Sequence, residues 1–131
     1  MRPSDDLLAR IADRLKALAD PMRLRILHEL EDGEVCVGDL AARVGGSAAN
    51  VSKHLAVLRG AGLVRCRRDG MNVCYCVVDP AAFEVCRLVR DSLAQAAERA
   101  TAELKQPVEL RGAPSGPTTR RTEQDFNLRS G

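Results

Sequence analysis

The chain has 131 residues, with 20 Lys and Arg against 18 Asp and Glu, a formal charge of only +2, and 45% hydrophobic residues. That length allows one domain with a small core, and a charge so near balance does not by itself point to a nucleic-acid or membrane surface. No apolar run approaches the ~20 residues of a membrane span, the start MRPSDDLL lacks the apolar centre of a secretion signal, and five cysteines, an odd number, argue against a disulfide scaffold; the expected location is the cytoplasm.

Along the chain, Ser4 to Ala19 puts Leu7, Leu8, Ile11, Leu15 and Leu18 on one helical stripe, suited equally to the domain's own core or to a second subunit. Asp20 and Pro21 then cap and start a second helix, packed through Leu24, Ile26, Leu27 and Leu30 and ended at Gly33. Its His28 reads as a surface or satisfied histidine rather than a ligand. Glu34 to Cys36 is short enough to be extended. Val37 to Val44 is a short amphipathic helix, Gly45 and Gly46 give a permissive turn, and Ser47 caps a further helix on which Val51, Leu55 and Leu58 face inward. Two helices so joined make a helix-turn-helix candidate.

Leu63 to Val78 reads as a hairpin, with Asp69-Gly70 as its loop and Cys66 opposite Val73, Arg65 opposite Cys74 and Val64 opposite Tyr75. Alternation then gives a core-like face of Val64, Cys66, Val73, Tyr75 and Val77, and an exposed face of Arg65, Arg67, Cys74 and Cys76. Asp79-Pro80 opens a last helix to about Lys105, with Phe83, Cys86, Leu88, Val89, Leu93, Ala96, Ala97, Ala100 and Leu104 forming an apolar stripe suited to pairing with its own copy. From Pro107 the chain is rich in Pro, Gly, Ser, Thr and Arg, without periodicity, so 1–106 is read as the domain and 107–131 as a disordered tail.

The segments LADPMRLRIL (Leu18 to Leu27), EVCVGDL (Glu34 to Leu40), NVSKHLAVLRGAGLV (Asn50 to Val64) and the hairpin to Val78, in this order, resemble the ArsR-type (ArsR/SmtB) winged helix-turn-helix repressors. The resemblance implies a mainly α, dimeric winged helix-turn-helix of about five helices with a two- or three-stranded wing, and a first helix that belongs to the dimer interface. It implies double-stranded operator DNA as partner, read by a homodimer on an inverted repeat. Ser47, Ala49, Asn50, Ser52, Lys53 and His54 fall on the recognition-helix positions, and Arg67, Arg68 and Asn72 near the wing tip would reach flanking backbone or minor groove.

The family's ion sites transfer unevenly. Its thiol pattern ELCVCDL keeps Cys36, but Gly38 stands where the second thiol would be. A last-helix zinc or nickel site needs histidines, and none follows His54; a recognition-helix cysteine site fails because 50–62 contains no cysteine. The departure lies in the wing, where Cys74 and Cys76 point the same way from one strand, and Cys36 would complete a trigonal thiolate site if its segment pairs beside them. Such a pocket suits As(III), and also Sb(III), Cd(II) or Zn(II), as the releasing ion. Cys66 and Cys86 come after these three as ligands, being read first as small hydrophobes.

Two other readings use the same residues. Arg65 and Arg67 favour thiolates, so the wing cysteines could sense oxidation or persulfides, with Cys36 as the disulfide partner because alternate residues of one strand bridge poorly. A winged-helix protein-interaction module that never meets DNA is the other. No phosphate loop, carboxylate pair or Cys-His pairing points to an enzyme.

Overall fold

The computed structural model describes residues 2–105, so the tail read over 107–131 lies outside the described residues. The elements run α1 (Asp5–Leu18), α2 (Pro21–Glu29), β1 (Val35–Cys36), α3 (Val37–Val44), α4 (Ala48–Gly60), β2 (Val64–Asp69), β3 (Asn72–Val77) and α5 (Ala81–Lys105). Two compact units divide between Arg87 and Leu88. The first carries the helix-turn-helix and the sheet, and the described part of the second is the remainder of α5.

α1, α2 and α4 start where their side-chain caps dictate. Ser4 Oγ accepts from Leu7 N at 3.2 Å, Asp20 Oδ1 accepts from Met22 N at 2.8 Å and Arg23 N at 3.2 Å, and Ser47 Oγ accepts from Asn50 N at 3.1 Å. At Asp20 partial burial works against ionisation, yet the backbone N–H groups of Arg23 and Met22, with the charge of Arg23, hold the carboxyl below its ordinary range. α2 stops at Glu29, short of the Gly33 expected to end it; the chain turns through Leu30 first, and Gly33 (φ 145°) takes the following bend. α3 ends on Gly45 in the left-handed region (φ 73°), which lets α4 leave at an angle.

Ile26, Leu27 and Leu30 of α2 and its cap, Leu40 of α3, Val51, Leu55 and Leu58 of α4, and Leu63 make the core, each 2% exposed or less. Burying so many side chains of leucine size at roughly 1.5–3 kcal/mol each is what fixes α4 against α2 and α3. α1 departs from the own-core reading: only Ala17 and Leu18 are buried, while Leu7, Leu8, Ile11 and Leu15 remain 43–48% exposed. On α5, Ala82 is buried and Phe83 and Val85 pack against the core, whereas Leu88, Val89, Leu93 and Leu104 are exposed.

The sheet has the order β1-β3-β2, all antiparallel. Its hairpin differs from expectation by a shifted loop: Asp69 pairs with Asn72, so Gly70 and Met71 form the turn, and the register becomes Val64↔Val77, Arg65↔Cys76, Cys66↔Tyr75 and Arg67↔Cys74. Gly70 at φ 63° opens that turn without a Cβ penalty, which Asp69 in the same place would incur. Because each partner moves by two, the two faces keep the side chains expected of them. The face carrying Cys74 is nevertheless not exposed throughout: β1 lies along the free side of β3, and Cys74 is 1% exposed.

Candidate nucleic-acid interface and thiol pair

α4 shows solvent the residues that sequence assigned to recognition. Ala49, Asn50, Ser52 and Lys53 are exposed, and among the described residues the Lys53 ammonium has no hydrogen-bond or ion-pair partner. Ser47 is exposed too, with its hydroxyl engaged as the cap. His54 is half-buried: Arg23 Nη1 lies 3.3 Å from its Nδ1. A guanidinium only donates, so Nδ1 accepts and the Nε2 edge carries the proton that remains for a ligand. The same Arg23 donates from Nε to Ala17 O (2.6 Å) and from Nη2 to Lys16 O (3.0 Å), tying the end of α1 to the recognition helix. Sequence reasoning missed Arg23; its place one turn into a capped helix, facing the preceding helix's last carbonyls, was the available signal.

The wing holds its three predicted contacts differently. Arg68 and Asn72 are exposed. Arg67 is clamped across the sheet by Glu34, Nε to Oε2 at 3.0 Å and Nη2 to Oε1 at 2.6 Å. That two-pronged bond, and after it the opposite charge, holds the Glu34 carboxyl below its ordinary range and Arg67 above its own. Ser52 of α4 and Met71, Asn72, Val73 and Tyr75 of the wing, with Val37 and Gly38 of α3, line one open cleft of about 260 Å3. The helix and the wing tip therefore present one continuous surface.

Cys36 lies opposite Cys74 in the β1–β3 ladder, their Cα atoms 3.7 Å apart, and their sulfurs form a disulfide. Cys36 is also the residue before α3, and its side chain makes no capping bond. The disulfide thus joins the start of the helix-turn-helix to the wing's central strand. Cys76 is half-buried, and its Sγ accepts from Arg65 Nε at 3.4 Å. Cys66 packs against the core beside Tyr75, and Cys86 is half-buried on α5. His28, as expected, is satisfied locally, with Nδ1 2.7 Å from Leu24 O and its ring edge-on to Phe83. Among the described residues no three His, Cys, Asp or Glu side chains stand together as metal ligands. The thiols therefore form a bonded pair with a neighbour, and a three-thiolate pocket for a soft ion requires that bond to be reduced.

A capped, partly polar helix held by a two-helix frame beside an antiparallel wing defines the winged helix-turn-helix class, a DNA-reading module. Residues 20–65 match the family model described as bacterial regulatory protein, arsR family. The chain is 45% identical over 71 residues to the HTH-type transcriptional regulator KmtR of Mycobacterium tuberculosis (54% of this chain, 55% of that one). It is 42% identical over 88 residues to a transcriptional repressor, the SmtB homolog of a Synechocystis species (67% of each). It thus spans between about half and two thirds of the length of these curated relatives. Among solved structures, the homodimeric winged helix-turn-helix domain Mb0332 of Mycobacterium bovis matches at TM-score 0.63 and 32% identity (74% of this chain, 93% of that one). The antimony-specific transcriptional repressor AntR matches at TM-score 0.63 and 33% identity (72% and 86%). The chain belongs to the arsR family of bacterial regulatory proteins, a family of transcriptional regulators rather than enzymes. No described helix is long and apolar enough to cross a membrane.

Proposed function

We propose that this chain is a transcriptional repressor that binds an inverted repeat as a homodimer and whose grip is set by sulfur chemistry at Cys36 and Cys74. The observation that carries the reading is the pairing of Cys36 with Cys74, because it links thiol state to the spacing between recognition helix and wing. Ser47, Ala49, Asn50, Ser52, Lys53 and His54 meet the major groove; Arg68, Asn72 and, when free, Arg67 meet the flanking backbone. Two copies double the phosphate contacts of so small a module, and the exposed Leu7, Leu8, Ile11 and Leu15 of α1 are surface for the second copy to cover.

Release follows from a difference between two states, as any switch requires. With Cys36 bonded to Cys74, Glu34 is kept within reach of Arg67, and each protomer withholds one guanidinium from the DNA. Reduction of the bond by an external dithiol, which supplies two electrons and two protons and leaves as its own disulfide, returns two thiols and frees that guanidinium. A second reading rests on Cys76 lying on the same face of β3 as Cys74: once reduced, Cys36, Cys74 and Cys76 take a thiophilic ion such as As(III), Sb(III), Cd(II) or Zn(II), with the same restraint on the wing. The likeness to an antimony-specific repressor supports that second reading.

The deciding experiment titrates the reduced protein on a duplex selected from a random pool, with a disulfide oxidant, a persulfide donor, arsenite, antimonite, cadmium and zinc in separate arms. Cys36→Ser, Cys74→Ser and Cys76→Ser are run in parallel. Release by oxidant that is lost in Cys36→Ser and Cys74→Ser but kept in Cys76→Ser supports the disulfide; release by an ion that all three substitutions abolish supports the thiolate site. Release unchanged in all three variants refutes both.

A further inference from the structure

The Gly70-Met71 turn leaves Met71 101% exposed, the most exposed large hydrophobic residue among those described. The other exposed apolar side chains lie on helices, apart from Val78 beyond the end of β3 (51%). Held at the end of a two-stranded arm, the Met71 side chain lies outside the core of its own chain and is open to a partner. Its surroundings indicate what it meets. Asn72 follows it, the exposed and unpartnered Arg68 stands three residues before it, and it shares the cleft of about 260 Å3 with Ser52 of the recognition helix. A duplex engaged by Ser52 and Lys53 therefore runs past the wing tip.

We infer that Met71 is an apolar wedge that the wing inserts into the minor groove of the duplex, beside the half-site read by α4. Apolar side chains in that position contact sugars and the groove floor and part neighbouring base steps, a contribution that does not depend on counterion release. Methionine suits it because an unbranched thioether adapts to an irregular groove wall. The backbone suits it as well: antiparallel pairing continues to Asp69↔Asn72, so only Gly70 and Met71 extend past the paired strands. The wedge makes flexible pyrimidine–purine steps at the flank favourable, because these unstack most readily.

The inference rests on the DNA-binding reading, and its test separates the two. The full-length reduced protein is offered a random-sequence duplex pool; the recovered duplex carries 2-aminopurine at the flanking step, and affinity is measured by anisotropy across a salt series. Met71→Ala is expected to weaken binding about five- to tenfold, the scale of losing one partly buried apolar side chain. The slope of log affinity against log salt stays unchanged, and the 2-aminopurine fluorescence rise is lost. Met71→Leu retains both, and Arg68→Ala lowers the slope. An affinity for Met71→Ala within twofold of wild type, or a fluorescence rise that persists in it, overturns the wedge while leaving DNA binding intact. Failure of the wild-type protein to enrich any duplex overturns the DNA-binding reading itself.

Discussion

Lys53 and Arg67 are both cations on the proposed DNA face, yet only one of the two is free, and the salt dependence of binding should tell them apart. Lys53 is exposed without a partner among the described residues, so in a dimer Lys53→Ala removes two phosphate contacts. At about 0.9 per contact, the slope of log affinity against log salt should fall by about 1.8, which at about 0.15 M salt is a loss of about thirtyfold. Arg67 is held by two bonds to Glu34. Arg67→Ala should therefore change the slope by less than about 0.5 while the Cys36–Cys74 bond is intact, and by about 1.8 after reduction. The assay is fluorescence anisotropy on one duplex, with each variant measured before and after a reductant. Equal slopes for Arg67→Ala in the two states would refute the coupling between thiols and clamp, and an unchanged slope for Lys53→Ala would remove the recognition helix from the phosphates.

Four further substitutions have defined outcomes. Glu34→Gln, lacking the clamp, should leave the oxidised protein binding DNA as the reduced one does. Its pH signature has a defined sign: a carboxyl held below its ordinary range stabilises the fold above its unfolded pKa of about 4.3, and that contribution fades as pH falls through the lower folded value. Urea melts of wild type and Glu34→Gln should thus converge on acidification, and a gap that widens instead would count against the ion pair. Leu55→Ala opens a hole beneath α4 at a site 0% exposed and should cost about 2–5 kcal/mol in denaturant unfolding; a loss under about 1 kcal/mol would mean that α4 is not seated as described. Ser47→Ala removes the cap of the recognition helix and should cost about 1 kcal/mol, read by thermal unfolding. Gly62→Ala meets both a left-handed backbone (φ 77°) and Arg14 Nη2 at 3.3 Å, so destabilisation of about 1–2 kcal/mol is expected, and none would show that the turn relaxes.

Much of this is legible in the sequence. The Ser4, Asp20 and Ser47 caps and the apolar spacing of Val51, Leu55 and Leu58 are local signals, and local signals locate helices well. Alternation gives the wing its faces but not its loop, because Asp69-Gly70 and Gly70-Met71 both satisfy a two-residue turn and only the pairing of whole strands chooses between them. Alternation assigns Cys74 a face but not what covers it; a two-residue β1 is too short to announce itself, and it lies beside the buried Cys74. The Glu34–Arg67 clamp spans 33 residues of sequence. It becomes evident only once β1 and β2 are known to flank the same central strand, which brings the same-face residues of both edge strands into reach of each other.

The most direct test of the thiol account follows two signals in one oxidative titration of the wild-type protein on its selected duplex. Mass spectrometry gives the fraction of chain carrying the Cys36–Cys74 linked peptide, and anisotropy gives the fraction of DNA released. The two curves are expected to coincide, and Cys36→Ser is expected to keep its DNA throughout. Complete linkage with the DNA still bound, or release that runs ahead of linkage, would contradict the thiol account.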